Sequence, residues 1–187
     1  MNLTAITDPA QAWERLVVES LRLLDAHAFA GGEAIVDIGS GAGIPGIPLA
    51  IALPAATVVL VEADQKKAAF LRDAASELGL ERVAVEARRA EDLGRDAAHR
   101  ERYDVAVTRA AAPAPVAAEY SLPLVRVGGW LLAQARPADW AAARGAVEAL
   151  GGRPRGVREG VVVVEKTRPT PAPYPRRAGL PAKRPLR

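Results

Sequence analysis

Apolar residues along this chain alternate between two rhythms. Short apolar runs at residues 34–38 (AIVDI), 57–61 (TVVLV), 82–87 (RVAVEA), 103–108 (YDVAVT) and 130–135 have the length and continuity of strands buried on both faces. Between them the spacing turns helical. Residues 9–29 carry Leu16, Val17, Leu21, Leu24 and Ala28 at helical intervals, with Asp8 placed to cap and Pro9 suited to the first position. Residues 65–78 put Ala68, Leu71, Ala75 and Leu78 on one face, and Gly79 supplies the stop. Shorter helices are expected at 46–53, 114–121 and 138–150, and residues 153–166 read as strand with a hairpin at Glu159-Gly160. Strand–helix alternation of this kind predicts an α/β fold, a mostly parallel sheet with helices on both faces. Ligands of such sheets bind at the carboxyl ends of the strands, near a switch point in strand order.

The uncharged run from Ile38 to Val61 is long enough to suggest a membrane span, but Pro45, Pro48, Pro54 and four glycines divide it into loop, helix and strand. The amino-terminal MNLTAITDPAQ lacks the basic and apolar regions of a signal peptide. No membrane association is expected. The chain has 187 residues and no cysteine, which removes disulfides and thiolate chemistry and fits a reducing, cytoplasmic setting. With only two histidines, His27 and His99, no histidine-rich metal site is expected. The net charge of +3 is unevenly spread: residues 166–187 hold seven Lys/Arg and no acid, leaving 18 basic against 22 acidic groups in the rest. That segment carries six prolines, which favour extended backbone, and Tyr174 beside Arg176 and Arg177. It reads either as a solubilising tail folded on its own domain or as an arm for nucleic-acid phosphate. Three regions follow: a helical segment at 1–30, a Rossmann-like domain at 31–166 and a basic, proline-rich tail at 167–187.

The candidate chemistry sits at three strand ends. After the first strand comes VDIGSGAGIPG, in which Gly39, Gly41 and Gly43 give G-S-G-A-G and Gly46 follows. This is neither the G-x-G-x-x-G of dinucleotide folds, which argues against an NAD-dependent oxidoreductase, nor a phosphate-cradling loop with its Lys-Ser/Thr. Asp37 precedes the loop, and a carboxylate there suits a cationic or hydroxyl-bearing ligand better than a pyrophosphate. Glu62 ends the second strand, where an acid can accept from both ribose hydroxyls. The third strand leads into Ala90-Glu91-Asp92, whose backbone and carboxylate can read an adenine edge. A glycine loop, a ribose acid and an adenine site suit S-adenosylmethionine better than NAD.

VDIGSGAGIPGIPLAI at 36–51, the Glu62-x-x-x-Lys66-Lys67 and Arg89-Ala90-Glu91-Asp92 steps, Thr108-Arg109-Ala110, the opening Asn2-Leu-Thr-Ala-Ile-Thr-Asp8 and the closing YPRRAGLPAKRPL together resemble the bacterial RsmG/GidB methyltransferases over nearly the whole chain. The resemblance implies a class I S-adenosylmethionine-dependent methyltransferase with a seven-stranded sheet, acting in the cytoplasm, as a monomer, on N7 of guanine 527 of 16S rRNA in the 30S subunit. Carried over by motif, Gly39 and Ile44 touch the cofactor, Gly41 and Gly43 shape its loop, and Ala90 and Glu91 flank the adenine. Glu62 stands where the family usually has aspartate, and Arg109 lies between cofactor and RNA. Arg109 then steers phosphate or stacks on a base; the alternative is a structural ion pair with Asp37, Glu62 or Glu91. Guanine N7 has a free lone pair, so no catalytic base is expected. Arg136, Arg176, Arg177, Lys183 and Arg184 are the candidate RNA contacts. The family carries several tens of residues ahead of N-L-T-A-I, where this chain begins; it has histidine at Leu16, and a Leu-Lys-Gly step where Gln134-Ala135-Arg136 stands here. A different RNA or small-molecule acceptor, and a non-catalytic ribosome-assembly factor of the same fold, are the alternatives.

Overall fold

The computed structural model describes residue 6 and residues 8–187; residues 1–5 and 7, with most of the opening motif, lie outside the described residues. Seven strands form one sheet in the order β3-β2-β1-β4-β5-β7-β6. They are β1 (Ala34–Ile38), β2 (Thr57–Val61), β3 (Val83–Glu86), β4 (Tyr103–Arg109), β5 (Val125–Gln134), β6 (Gly152–Arg158) and β7 (Val161–Lys166). The first five run parallel; β7 is antiparallel to both of its neighbours. Strand order reverses between β1 and β4, which opens the switch-point crevice above their carboxyl ends.

Side chains alternate strictly across the sheet. Ile35, Val105, Val107, Leu132 and Val163 pack with α2 (Glu19–Ala26), α3 (Gly46–Ala52) and α4 (Gln65–Glu77) on one face. Val36, Ile38, Ala106, Leu131 and Val164 pack with α5 (Ala90–Leu93), α6 (Ala114–Ser121), α7 (Pro137–Ala142) and α8 (Arg144–Ala149) on the other. A single strand therefore feeds both cores, which is why its sequence is continuously apolar.

Three elements depart from the periodicity reading. The first helix comes in three parts: α1 (Pro9–Ala12), a π-helical turn at Trp13–Val18 and α2, which ends at Ala26 rather than near residue 29. Glu19 N–H bonds back to Glu14, the wider π spacing. The strand expected at 130–135 starts at Val125 and runs through Gly128-Gly129. A Cβ on Gly129 would lie 2.5 Å from the Asp104 carbonyl, so these glycines permit close passage of β5 past β4 instead of ending the strand. The 138–150 helix breaks at Ala143, whose ψ of 7° leaves the helical range.

Residues 167–187 are strapped to the domain. The fully buried Lys166 Nζ donates to Glu101 Oε1 at 3.0 Å and to the carbonyls of Leu122 and Val125. Arg100 donates to the carbonyls of Thr170 and Tyr174, and Arg95 Nε to that of Pro175. A short helix, α9 (Leu180–Lys183), follows. Among the described residues no helix is long and apolar enough to cross a membrane.

Candidate functional site

The glycine loop sits at the switch point. Gly39 and Ser40 N–H groups donate to the Val61 carbonyl at 3.0 and 3.1 Å, tying the loop from β1 to the end of β2. Gly39, Gly41 and Gly43 have φ of 71°, 55° and 87°, the left-handed region that glycine adopts without strain. A Cβ on Gly43 would run into Ile47, so this glycine packs the loop onto α3 rather than facing a ligand. Ile44, half-buried, closes the turn before Pro45.

Glu62 braces the loop from β2: Oε2 accepts from Gly41 N–H at 3.1 Å, and Oε1 from Asp64 N–H at 2.8 Å. Each oxygen keeps a lone pair. On β1, the fully buried Asp37 accepts from Gly46 N–H at 3.1 Å through Oδ2, while Oδ1 has no partner. Burial pushes its carboxyl up to about 7, reinforced by the Glu62 charge and opposed by the Ser40 hydroxyl and Gly46 N–H. Behind β3, Ala90 and Glu91 open α5, both buried; Glu91 Oε1 accepts from Gly179 N–H at 2.8 Å.

Gly39, Glu62, Ala90 and Glu91 line one cleft of about 150 Å³, so the three strand ends read separately in the sequence converge. Sequence reasoning missed Ala111 and Tyr120, which complete that cleft. No spacing marks them; they arrive because α6 crosses to the α5 side of the sheet. Arg109 points the other way. Its Nη2 pairs with Glu19 Oε2 at 3.0 Å, so its ionic partner is none of Asp37, Glu62 or Glu91. Gln134, its register partner on β5, donates through Nε2 to the Glu19 backbone carbonyl.

The RNA candidates divide. Arg177, Lys183 and Arg184 are exposed, and Arg136 is exposed beside Asp139. Arg176 is withdrawn from that group: its guanidinium grips the fully buried Glu119 through Nε and Nη2, and its backbone N–H adds a third bond. The tail is correspondingly part of the site's support, because it supplies the partner of Glu91; removing it would reach the cleft as well as any RNA contact.

The donor set fits S-adenosylmethionine. Glu62 and Glu91 bring carboxylate acceptors to the cleft, Arg88 and Arg89 line its β3 side, and the glycine loop above the buried Asp37 carries no lysine to hold a pyrophosphate. Among the described residues no group of three or more His, Cys, Asp or Glu could hold a metal. Gly39→Asp is expected to fill the cleft floor, where even a Cβ would stand 2.7 Å from the Ala111 Cβ. S-adenosylmethionine affinity by calorimetry should fall by about 100-fold, some 2.7 kcal/mol. Unchanged affinity would place the nucleoside elsewhere.

The fold is that of a class I methyltransferase. The chain overlays an S-adenosylmethionine-dependent methyltransferase from Aquifex aeolicus with a TM-score of 0.62 at 16% identity, covering 84% of this chain and 93% of that one. It overlays the fibrillarin pre-rRNA processing protein of Methanococcus jannaschii equally well, at 16% identity over 80% of this chain and 74% of that one. The GidB family model, described as rRNA small subunit methyltransferase G, matches residues 1–151. Proteins named ribosomal RNA small subunit methyltransferase G from Moorella thermoacetica and Roseiflexus sp. (strain RS-1) are 43% and 47% identical over all of this chain, and 83% and 84% of their own lengths are covered. The chain belongs to the rRNA small subunit methyltransferase G family, and it is a methyltransferase.

Proposed function

We propose that this protein transfers a methyl group from S-adenosylmethionine to N7 of guanine 527 of 16S rRNA in the small ribosomal subunit. The observation that carries the cofactor half is the convergence of Gly39, Glu62, Ala90 and Glu91 on one cleft at the switch point. Family membership carries the RNA half. When bound, the sulfonium supplies an electrophilic methyl carbon. That carbon would pass to the N7 lone pair, with sulfur keeping the bond's electrons and the purine taking the positive charge.

N7 carries no proton, so this chain's residues have alignment as their main task. Gly39 and Ile44 would hold the nucleoside's sulfur side, Gly41 and Gly43 set the curve of the loop, and Glu62 receives the ribose hydroxyls. Ala90 and Glu91 would border the adenine. Arg109 lies on the β4 side of the crevice, between that cleft and an incoming RNA, with Arg136, Arg177, Lys183 and Arg184 available for phosphate. The resemblance also favours a monomer working in the cytoplasm.

The test uses 30S subunits from a strain lacking its own enzyme for this site. Purified protein and S-adenosylmethionine are added, and N7-methylguanine is mapped by chemical strand cleavage. A single cleavage at guanine 527 is the expected result. Cleavage at a different guanine, or none while S-adenosylmethionine still binds, would move the assignment to another acceptor.

A further inference from the structure

We propose that Tyr120 is a positioning residue of the cofactor site: its phenol and the Gly179 N–H together aim the Glu91 carboxylate at the 6-amino group of adenine. This rests on the cofactor placement proposed above. Tyr120 and Glu91 line the same cleft of about 150 Å³, beside Gly39, Glu62 and Ala90. Ala63, Arg89 and Ala111 on its walls are exposed, so a nucleoside reaches the cleft without displacing a helix.

The strap fixes both walls. Tyr120 sits half-buried near the end of α6, packed on the core that contains Ala90, Ala117 and Ala118. Glu119, the residue before it, is fully buried in the grip of Arg176, which pins that turn of α6. Three residues along the strap, Gly179 N–H donates to Glu91 Oε1 at 2.8 Å on α5. Residues 176–179 thereby tie α5 and α6 to one short piece of chain. Burial holds the Tyr120 phenol above its ordinary value; the Glu91 charge and a hydrogen bond to Glu91 add to this, while Arg89 pulls the other way. The phenol keeps its proton at neutral pH. A carboxylate only accepts, so Tyr120 is the donor in that bond.

A carboxylate gripped by two donors cannot swing, and that decides which base it takes. Adenine presents an amino donor at C6 and an acceptor at N1. Hypoxanthine presents the reverse, O6 as acceptor and N1–H as donor. Held opposite position 6, Glu91 bonds the amino group and repels O6. Released, it could turn to the N1–H of hypoxanthine. Sites built around a ligand's hydrogen-bonding group reject analogues that lack it.

Calorimetry on the full chain compares S-adenosylhomocysteine, the demethylated product, with S-inosylhomocysteine, its 6-oxo counterpart. The wild-type protein is expected to bind the adenosyl form at least about 100-fold more tightly. Tyr120→Phe keeps the ring and removes the donor. It should weaken the adenosyl form about tenfold and leave the inosyl form within about twofold, so the ratio falls about tenfold. Because Tyr120 acts through Glu91, the same substitution made on Glu91→Gln should change the ratio by less than about twofold. An equal loss for both ligands, or no loss for either, makes the phenol a packing group and overturns the proposal. So does a full effect on the Glu91→Gln background, which would put the phenol directly on the ligand. Wild-type protein that does not discriminate overturns the reading of the amino group. Gly39→Asp tests the site itself: if the adenosyl form binds that variant normally, the nucleoside lies outside the cleft and the cofactor placement fails first.

Discussion

Replacing Arg176 by alanine is expected to destabilise the protein by about 3 kcal/mol, toward the lower end of what removing one partner of a buried ion pair costs. The reason is what it leaves behind. Glu119 is wholly enclosed on α6, and Arg176, 20% exposed, supplies a forked pair of bonds plus a backbone N–H. Water that enters beside the arginine moderates the loss but cannot replace three aligned donors. Arg176→Lys keeps the charge and loses the fork, and should fall between the two. The exposed pairs Arg136–Asp139 and Arg144–Glu148 provide the contrast, since breaking either should cost well under 1 kcal/mol. Urea unfolding of the four variants measures the order directly. If Arg176→Ala unfolds within 1 kcal/mol of the parent, Glu119 is not sealed as described.

The second large effect is a pH dependence of opposite sign to the usual carboxylate. Asp37 titrates near 7 in the folded protein, against an ordinary value near 3.9 for the unfolded chain. The folded state therefore binds this proton more tightly. The stability it lends is complete below pH 4, declines as pH rises, and is gone above about 7, a change on the order of 4 kcal/mol. His27, lowered by burial, contributes with the opposite slope near neutrality, so the two partly cancel in the parent protein. Asp37→Asn isolates the first. Its amide oxygen can keep the Gly46 N–H, and its NH2 group inherits the unpartnered position of Oδ1. The variant should match the parent below about pH 4 and exceed it in urea midpoint at pH 8. Parallel profiles from pH 5 to 8 would show that Asp37 does not titrate there.

Much of this was legible in the chain because β1, β2, β4 and α4 are each specified locally. Their apolar runs match burial on both sides of a central sheet, and Gly79 stops α4 as its residue type dictates. What was not legible depends on distant partners. Gly128-Gly129 looks like a strand end until β4 is alongside, with the Asp104 carbonyl where a Cβ would go. Arg176 looks like an RNA contact because Glu119 lies 57 residues away in sequence. Arg109 could be placed at the crevice, yet its choice of Glu19 depends on how α2 crosses the strand ends. The candidate cofactor residues are different in kind: they fall at consecutive strand ends, so topology alone brings Gly39, Glu62, Ala90 and Glu91 to one cleft.

The strap over α5 and α6 also sets an order of events during synthesis. Glu119 and Glu91 leave the ribosome 57 and 88 residues ahead of Arg176 and Gly179, the groups that satisfy them. At translation rates of about 5–20 residues per second, that is a delay of roughly 3–18 s. In that interval a nascent chain can hold all seven strands and still carry two stranded carboxylates. Cofactor loading should therefore wait for the tail, and a chain stalled before Arg176 should be a substrate for proteolysis rather than a working enzyme.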